Sequence, residues 1–496
     1  MQELDIVIVG AGPAGLTASY LATARGLSVG VIEQSHAVGG ISRTVDYQGY
    51  LFDIGGHRFF SKSAEVVALW RELLPDDLLE RPRLSRIYYD GRFFPYPLEA
   101  FATLRNLGPV TSALCVASYV KRRVRPHPDP QTLHEWVANR FGERLYRTFF
   151  KTYTEKVWGI GCDEISADWA AQRIKGLSFT SAARSAVSKT LQQRFGRQRG
   201  SNDIKSLIEV FLYPRRGPGQ MWEAAAEKTR QQGGAVHFGH TLSGLAWDGE
   251  RWTLTATTDA GEEVRFRAKH VISSAPLTEV VRSLDGATER LKQAANGLRY
   301  RDFLTVALVI DRPDPFPDNW IYIHDPAVKV GRIQNFRAWS EEMVPRADRS
   351  CLGLEYFCFE GDGLWTSSDE DLIALGREEL ARIGLAKASD VSDGTVVRQK
   401  KAYPVYDADY KRHVDVIREE LGRYPGLHLV GRNGMHKYNN QDHAMMTAML
   451  TVENIVAGEL RYDIWGVNED AEYHEAGRAE ALSSVRDAPQ KVERRP

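Results

Sequence analysis

Cysteine is scarce in this chain. Its 496 residues include only Cys115, Cys162, Cys351 and Cys358, with no Cys-x-x-Cys pair and no histidine cluster at metal-ligand spacing. That pattern supplies neither a disulfide framework nor a metal-site motif, and isolated thiols of this kind read as small buried hydrophobes. A dominant charge is also missing. Lys+Arg total 64 against 65 Asp+Glu, a net charge of −1, which removes the electrostatic case for nucleic acid as principal partner. Internal repeats and long low-complexity tracts are absent. So is an apolar run of the ~20 residues needed to span a bilayer. The nearest approach is Leu107–Val120, followed by Lys121, Arg122, Arg123 and Arg125. It reads as a buried helix capped by solvated charges, with weak peripheral contact to an anionic membrane as the lesser alternative. The first residues run straight into a strand with no charged-then-apolar leader, which sets a cytoplasmic expectation.

What is present begins at residue 6. Ile-Val-Ile-Val leads into Gly10, Gly12 and Gly15, the spacing of a dinucleotide-binding strand–turn–helix. Gly10 permits the tight turn, Gly12 lets backbone approach a pyrophosphate, and Gly15 lets the helix pack on the sheet. The helix N-terminus turns its unpaired N–H groups to the phosphates. Leu16–Ala24 reads as the helix and Leu27–Ile32 as the next strand, with Glu33 placed to accept from a ribose hydroxyl. The loop Gly39-Gly40-Ile41-Ser42-Arg43 offers backbone and one cation to the same phosphates, and Gly55-Gly56-His57 allows close approach to a flat ligand.

The nucleotide domain is interrupted. Residues 91–200 are helical and aromatic-rich, an inserted cap domain. Strands at Val236–Leu245, Trp252–Thr257 and Val264–Arg267 lead to the apolar Val271–Ala275 and return the chain to the nucleotide domain. A second excursion, 285–400, mixes strands such as Phe303–Ile310 with a helix at Asp369–Ile383. Leu427–Gly431 is a last core strand before the helix Gln441–Gly458. The expected division is therefore a discontinuous nucleotide domain of 1–90, 201–284 and 401–474, a helical insertion of 91–200, an α+β substrate-side domain of 285–400, and a mobile tail of 475–496.

An N-terminal glycine fingerprint with a late strand–loop–helix closing on the same ligand resembles the glutathione-reductase-type FAD superfamily, near the amine oxidases and protoporphyrinogen oxidases. Discrete motifs resemble the UDP-galactopyranose mutase family. These are Tyr153-Thr154-Glu155-Lys156-Val157-Trp158-Gly159, Gly55–Ser61 with His57, Tyr300-Arg301, and Gly431-Arg432 followed by Lys437–Asp442. Tyr213-Pro214-Arg215-Arg216-Gly217 is a looser match shared with the oxidases. Departures accompany the match. Phe60 stands where the family has a second histidine, His436 where it has a tyrosine, and Asn440 where it has an acid. No counterpart of the family's mobile-loop arginine is found, Arg173 lying at a neighbouring position.

The resemblance implies an α/β fold with a Rossmann-like FAD domain, an inserted helical cap and a mixed-sheet substrate domain. It implies FAD as cofactor, reduced for catalysis, with NAD(P)H as a possible external reductant, and a nucleoside-diphosphate sugar as substrate. The implied reaction is a pyranose–furanose rearrangement through an adduct at the reduced flavin N5. Gly10, Gly12, Gly15, Glu33, Gly40, Arg43, His57, Gly431, Arg432 and Asp442 would hold the cofactor. Arg301, Arg432 and His57 would serve catalysis, the arginines taking the departing diphosphate. Tyr153, Trp158, Arg301, Tyr438 and Asn440 would bind substrate, and no metal is called for. Core packing is the alternative for Trp158, and helix capping alone for Asp442. The competing reaction class is an FAD oxidoreductase acting on an amine, a sugar or an isoprenoid-like substrate. A third is a flavoprotein that binds a sugar nucleotide without turnover.

Overall fold

Two seven-stranded sheets organise the computed structural model, which describes residues 2–96, 98, 100–174 and 210–468. The first sheet runs in the order His240–Trp247, Trp252–Thr258, Glu263–Ser273, Gln2–Val9, Val29–Glu33, Ala235–Phe238. Leu427–Leu429 joins the C-terminal end of Glu263–Ser273. Its centre is parallel, with Ile6 opposite His270 on one side and Val29 on the other. Side chains alternate between faces along a strand, so an all-apolar strand demands cover on both. Ile6 and Ile8 pack beneath the helices Pro13–Thr23, Gly219–Gln231 and Gln441–Ala457, while Val7 and Val9 pack beneath Leu277–Ser283, Glu289–Asn296 and Tyr410–Leu421.

The expected strand Val236–Leu245 is two strands. Gly239 takes φ +62° and breaks the run. Ala235–Phe238 then pairs with Val29–Glu33 at one edge, and His240–Trp247 pairs with Trp252–Thr258 at the other. Conversely, the runs around Val264 and Val271 form one strand, Glu263–Ser273. It is antiparallel to Trp252–Thr258 early and parallel to Leu427–Leu429 late.

The second sheet runs Val391–Pro404, Tyr300–Ile310, Ser350–Cys358, Arg332–Asn335, Trp320–Ile323, Ser85–Tyr89, Arg92–Pro95. Its outer strands come from both sides of the expected boundary at 90, and Val391–Pro404 runs through the one at 400. Asp369–Ile383 packs against it through Leu372, Leu380 and Ile383, with Ser368 capping its first turn.

Between the sheets' contributions lies a group of helices, among them Pro109–Val124, Leu133–Phe141, Thr152–Trp158 and Ala167–Ile174. The expectation of a buried helix after Leu107 is corrected here. In Pro109–Val124 only Cys115 and Tyr119 are buried, because a single layer of neighbours covers one face. The later part of the expected helical insertion, the segment 201–209 and the expected tail 475–496 lie outside the described residues. All four cysteines are buried and unpaired, and burial pushes the thiols of Cys162, Cys351 and Cys358 up to about 12.

Candidate active site

The glycine turn has the shape its spacing implies. Gly10 sits at φ +95°, and a Cβ on Gly15 would overlap the carbonyl oxygen of Gly10. Helix Pro13–Thr23 starts at Gly12 with no side-chain cap and no acidic residue in its first turn. Its leading N–H groups are therefore available to an anion. Gly40 faces the same turn, where a Cβ would come 3.4 Å from Gly12 Cα. Glu33 closes the strand, accepting from Ala11 N–H at 2.7 Å and Ser35 N–H at 2.9 Å. Arg43 donates to Gly40 O at 3.1 Å and to Gln399 Oε1 at 3.2 Å. Burial pulls its pKa down and Glu33 opposes the fall. From the far end of the chain, Gly431 (φ +80°) approaches so closely that a Cβ would lie 3.1 Å from Ala14 Cβ. A bare backbone cradle, an uncapped helix and a terminal carboxylate fit the pyrophosphate and ribose of a dinucleotide.

Beside this cradle is a cavity of about 420 Å³. Gly55, Gly56 and His57 meet Arg432, Tyr438, Asn440 and Asp442 on one side. Tyr403 and Tyr438 stack at 5.5 Å, with the Arg432 guanidinium 5.3 and 4.9 Å from their ring centroids. Opposite, helix Thr152–Trp158 contributes Tyr153 and Trp158. Tyr153 stacks on His324 at 4.6 Å, and Trp158 meets Tyr438 at 5.8 Å. A further arm is apolar, lined by Ile87, Leu98, Phe141, Phe149 and Phe150.

Histidine here is neutral. Burial, then Arg432 and Arg332, hold His57 down to about 3, and burial with Lys156 does the same for His324. His57 Nδ1 lies 2.9 Å from Gly55 O. A carbonyl only accepts, so Nδ1 carries the proton and Nε2 is the acceptor.

The arrangement gathers His57, Tyr153, Trp158, Arg432, Tyr438, Asn440 and Asp442 around the cavity, and Gly10, Gly12, Gly15, Glu33, Gly40, Arg43 and Gly431 around the cradle. Arg301 is the exception and the correction. Its guanidinium donates to the carbonyls of Val157 (3.1 Å), Lys156 (3.2 Å) and Phe357 (2.9 Å) and lies over Phe359, turned away from the cavity. The cap of the last helix is likewise Asn440, one position before Gln441, while Asp442 sits buried within the first turn. Arg173 belongs to Ala167–Ile174, but its side chain is outside the described residues.

Sequence reasoning missed a charged group in the wall. Arg332 forms an ion pair with Glu355 at 2.8 Å, and Gln334 donates to the other oxygen of that carboxylate at 2.8 Å. Burial opposes the charge on Arg332, but Glu355 and the surrounding tyrosines raise its pKa above the usual arginine value. Its Nε is buried with no hydrogen-bond partner among the described residues. The available signal was the alternation Arg332-Ile333-Gln334, two polar residues on one face of a strand in a buried sheet.

The family description "flavin containing amine oxidoreductase" matches residues 13–455. The chain is 26% identical to coproporphyrinogen III oxidase of Mycobacterium leprae over 461 residues, covering 87% of this chain and 94% of that one. It is 32% identical to putrescine oxidase of Kocuria rosea over 151 residues, 27% of this chain and 31% of that one. Among solved structures, reduced UDP-galactopyranose mutase superposes with a TM-score of 0.78 at 22% identity, covering 92% of this chain and 94% of that one. A putative protoporphyrinogen oxidase from Exiguobacterium sp. 255-15 gives 0.70 at 19% identity, covering 92% and 99%. These likenesses share the mixed α/β flavoprotein fold seen here. The match runs from Pro13, at the start of the helix that follows the glycine turn, to residue 455 in the closing helix; FAD is the dinucleotide the family implies for the cradle, and the chain belongs to the flavin-containing amine oxidoreductase family.

Proposed function

We propose that this protein is an FAD-dependent mutase of a nucleoside-diphosphate sugar, rearranging the sugar ring without net redox change. The observation that carries this reading is Arg332. It is held charged by Glu355, lines the cavity among aromatic rings, and has an unpartnered buried Nε. A buried donor without an acceptor is costly, so the site is built for an anionic group that supplies one. Arg432 adds a second positive charge on the same cavity.

Held by Gly10, Gly12, Gly15, Glu33, Gly40 and Gly431, reduced FAD would supply a nucleophilic nitrogen to the sugar carbon from which the diphosphate departs. The chain's residues do the rest. Arg332 and Arg432 would hold the diphosphate and stabilise its charge as it departs. Tyr153, Trp158 and Tyr438 offer flat walls and polar edges to sugar and base. His57 Nε2 would accept a hydrogen bond from a sugar hydroxyl and keep the ring oriented. Arg332 in this reading takes the part that sequence comparison assigned to Arg301.

Anaerobic incubation of the dithionite-reduced protein with a panel of nucleoside-diphosphate sugars tests this. Ring-isomerised product with flavin still reduced is the expected result. Absence of isomerised product there, with stoichiometric consumption of oxygen or another acceptor when the oxidised protein is assayed in air, overturns it in favour of the second reading, an FAD oxidoreductase. The apolar arm of Ile87, Leu98 and the three phenylalanines favours that alternative, because it suits an isoprenoid-like chain better than a sugar.

A further inference from the structure

Helix Pro109–Val124 is apolar on both sides. Inward, Cys115 packs with Ile87, Leu145 and Phe149, the cluster that also forms the apolar arm of the cavity. Outward, Val110, Leu114, Val116, Val120 and Val124 are 73, 46, 39, 52 and 74% exposed. At 100° per residue they fall on one arc, with the exposed Ala113 and Ala117 between them. These are five of the nine large apolar side chains exposed among the described residues. A helix on the surface of a globular protein carries its polar face outward; this one does not.

Charge indicates what covers it. The helix has no acidic residue, and Lys121, Arg123 and Arg125 are exposed at its C-terminal end. Arg122 alone turns inward, to Glu143 at 3.5 Å. A second copy packed helix on helix would bring the same face, and the helix offers no carboxylate to these cations in either orientation. A bilayer supplies both complements, acyl chains for the valines and anionic headgroups for the basic end.

We propose that Pro109–Val124 is an interfacial helix that docks the protein on an anionic lipid bilayer. The helix lies in the membrane plane with its valine arc among the upper acyl chains. Because its inner side roofs the apolar arm, docking sets that arm against the lipid. Docking is independent of whether the flavin reaction is a rearrangement or an oxidation, and the test reads binding rather than turnover.

Flotation of the full-length, flavin-loaded protein with phosphatidylcholine vesicles, with and without phosphatidylglycerol, is the experiment. The protein is expected to float with the phosphatidylglycerol vesicles and less with phosphatidylcholine alone. V116E/V120E and K121E/R123E should each lower the bound fraction at least about tenfold, with flavin absorbance and melting temperature unchanged. No flotation of the parent protein on either vesicle overturns docking, as does flotation of both variants equal to the parent. Self-association in sedimentation velocity, lost in V116E/V120E while vesicles are ignored, assigns the face to a second copy instead.

Discussion

Arg301 and Arg332 are the same side chain put to opposite uses. Arg301 donates to three backbone carbonyls through Nε and Nη2, lies over Phe359 and is absent from the cavity lining. Replacing it with Met strands those acceptors, and the expected loss of stability is about 3 kcal/mol, with KM for any substrate little changed. Arg332 neutralises Glu355, a carboxylate with no exposed surface. R332M alone leaves that charge uncompensated and should cost about 3–5 kcal/mol. The double variant R332M/E355Q should regain most of the melting temperature while KM stays raised. Thermal unfolding beside steady-state kinetics on the four proteins checks both halves, and a double variant with normal KM removes Arg332 from the site. The contrast explains what was legible. Arg301 stood out through its motif, yet the motif says nothing of where the guanidinium turns. Arg332 carried no motif, since its meaning comes from Glu355 directly across the strand pair, 23 positions away in the chain.

Helix Thr152–Trp158 shows how an element positions a site. It ends at Gly159 in the left-handed region (φ +67°), where its last carbonyls accept from Arg301. Lys156 anchors its flank, donating to the carbonyls of Ile323, Asp325 and Val330, with its pKa pulled by burial to about 8. These ties present Tyr153 and Trp158 to the cavity. G159A strains the left-handed turn and drives a Cβ into the Arg301 guanidinium. A loss of about 2–3 kcal/mol is expected, with quenching of Trp158 altered in the fluorescence spectrum; wild-type stability in G159A would show that the helix end tolerates displacement. Elements whose limits are local were readable. Asp369–Ile383 begins at its own Ser368 cap and ends at Gly384, and Gln441–Ala457 begins at Asn440 and ends at Gly458. Edge choice is not local, so the division at Gly239 into strands at opposite ends of one sheet escaped notice. Nor does an apolar helical run tell whether it has a partner, which is why Pro109–Val124 reads as buried and is half bare.

Across the whole molecule, buried neutral histidines set the response to acid. His57, His324 and His428 are held at about 3 and His436 at about 4, each first by burial. Unfolded, each returns to about 6.5. Below that pH the unfolded chain takes up protons the folded protein refuses, so stability falls as pH falls. Asp53 works the other way. Burial raises its pKa well above the carboxylate range beside Tyr213, so above about pH 4 the folded state keeps a proton the unfolded chain gives up. Four groups against one leave a net loss approaching about 4 kcal/mol per pH unit near pH 5, a large share of the total for a domain of ordinary stability. The melting temperature should therefore drop steeply between pH 6.5 and 5, while above pH 7 the histidines add no slope and Asp53 lowers stability for as long as it keeps its proton. H324F removes one titrating ring while keeping the stack on Tyr153, and should flatten the slope by about 1.4 kcal/mol per unit. Denaturant titrations across that range decide it: a parent slope of zero, or an H324F slope equal to the parent's, would show that these rings accept protons in place.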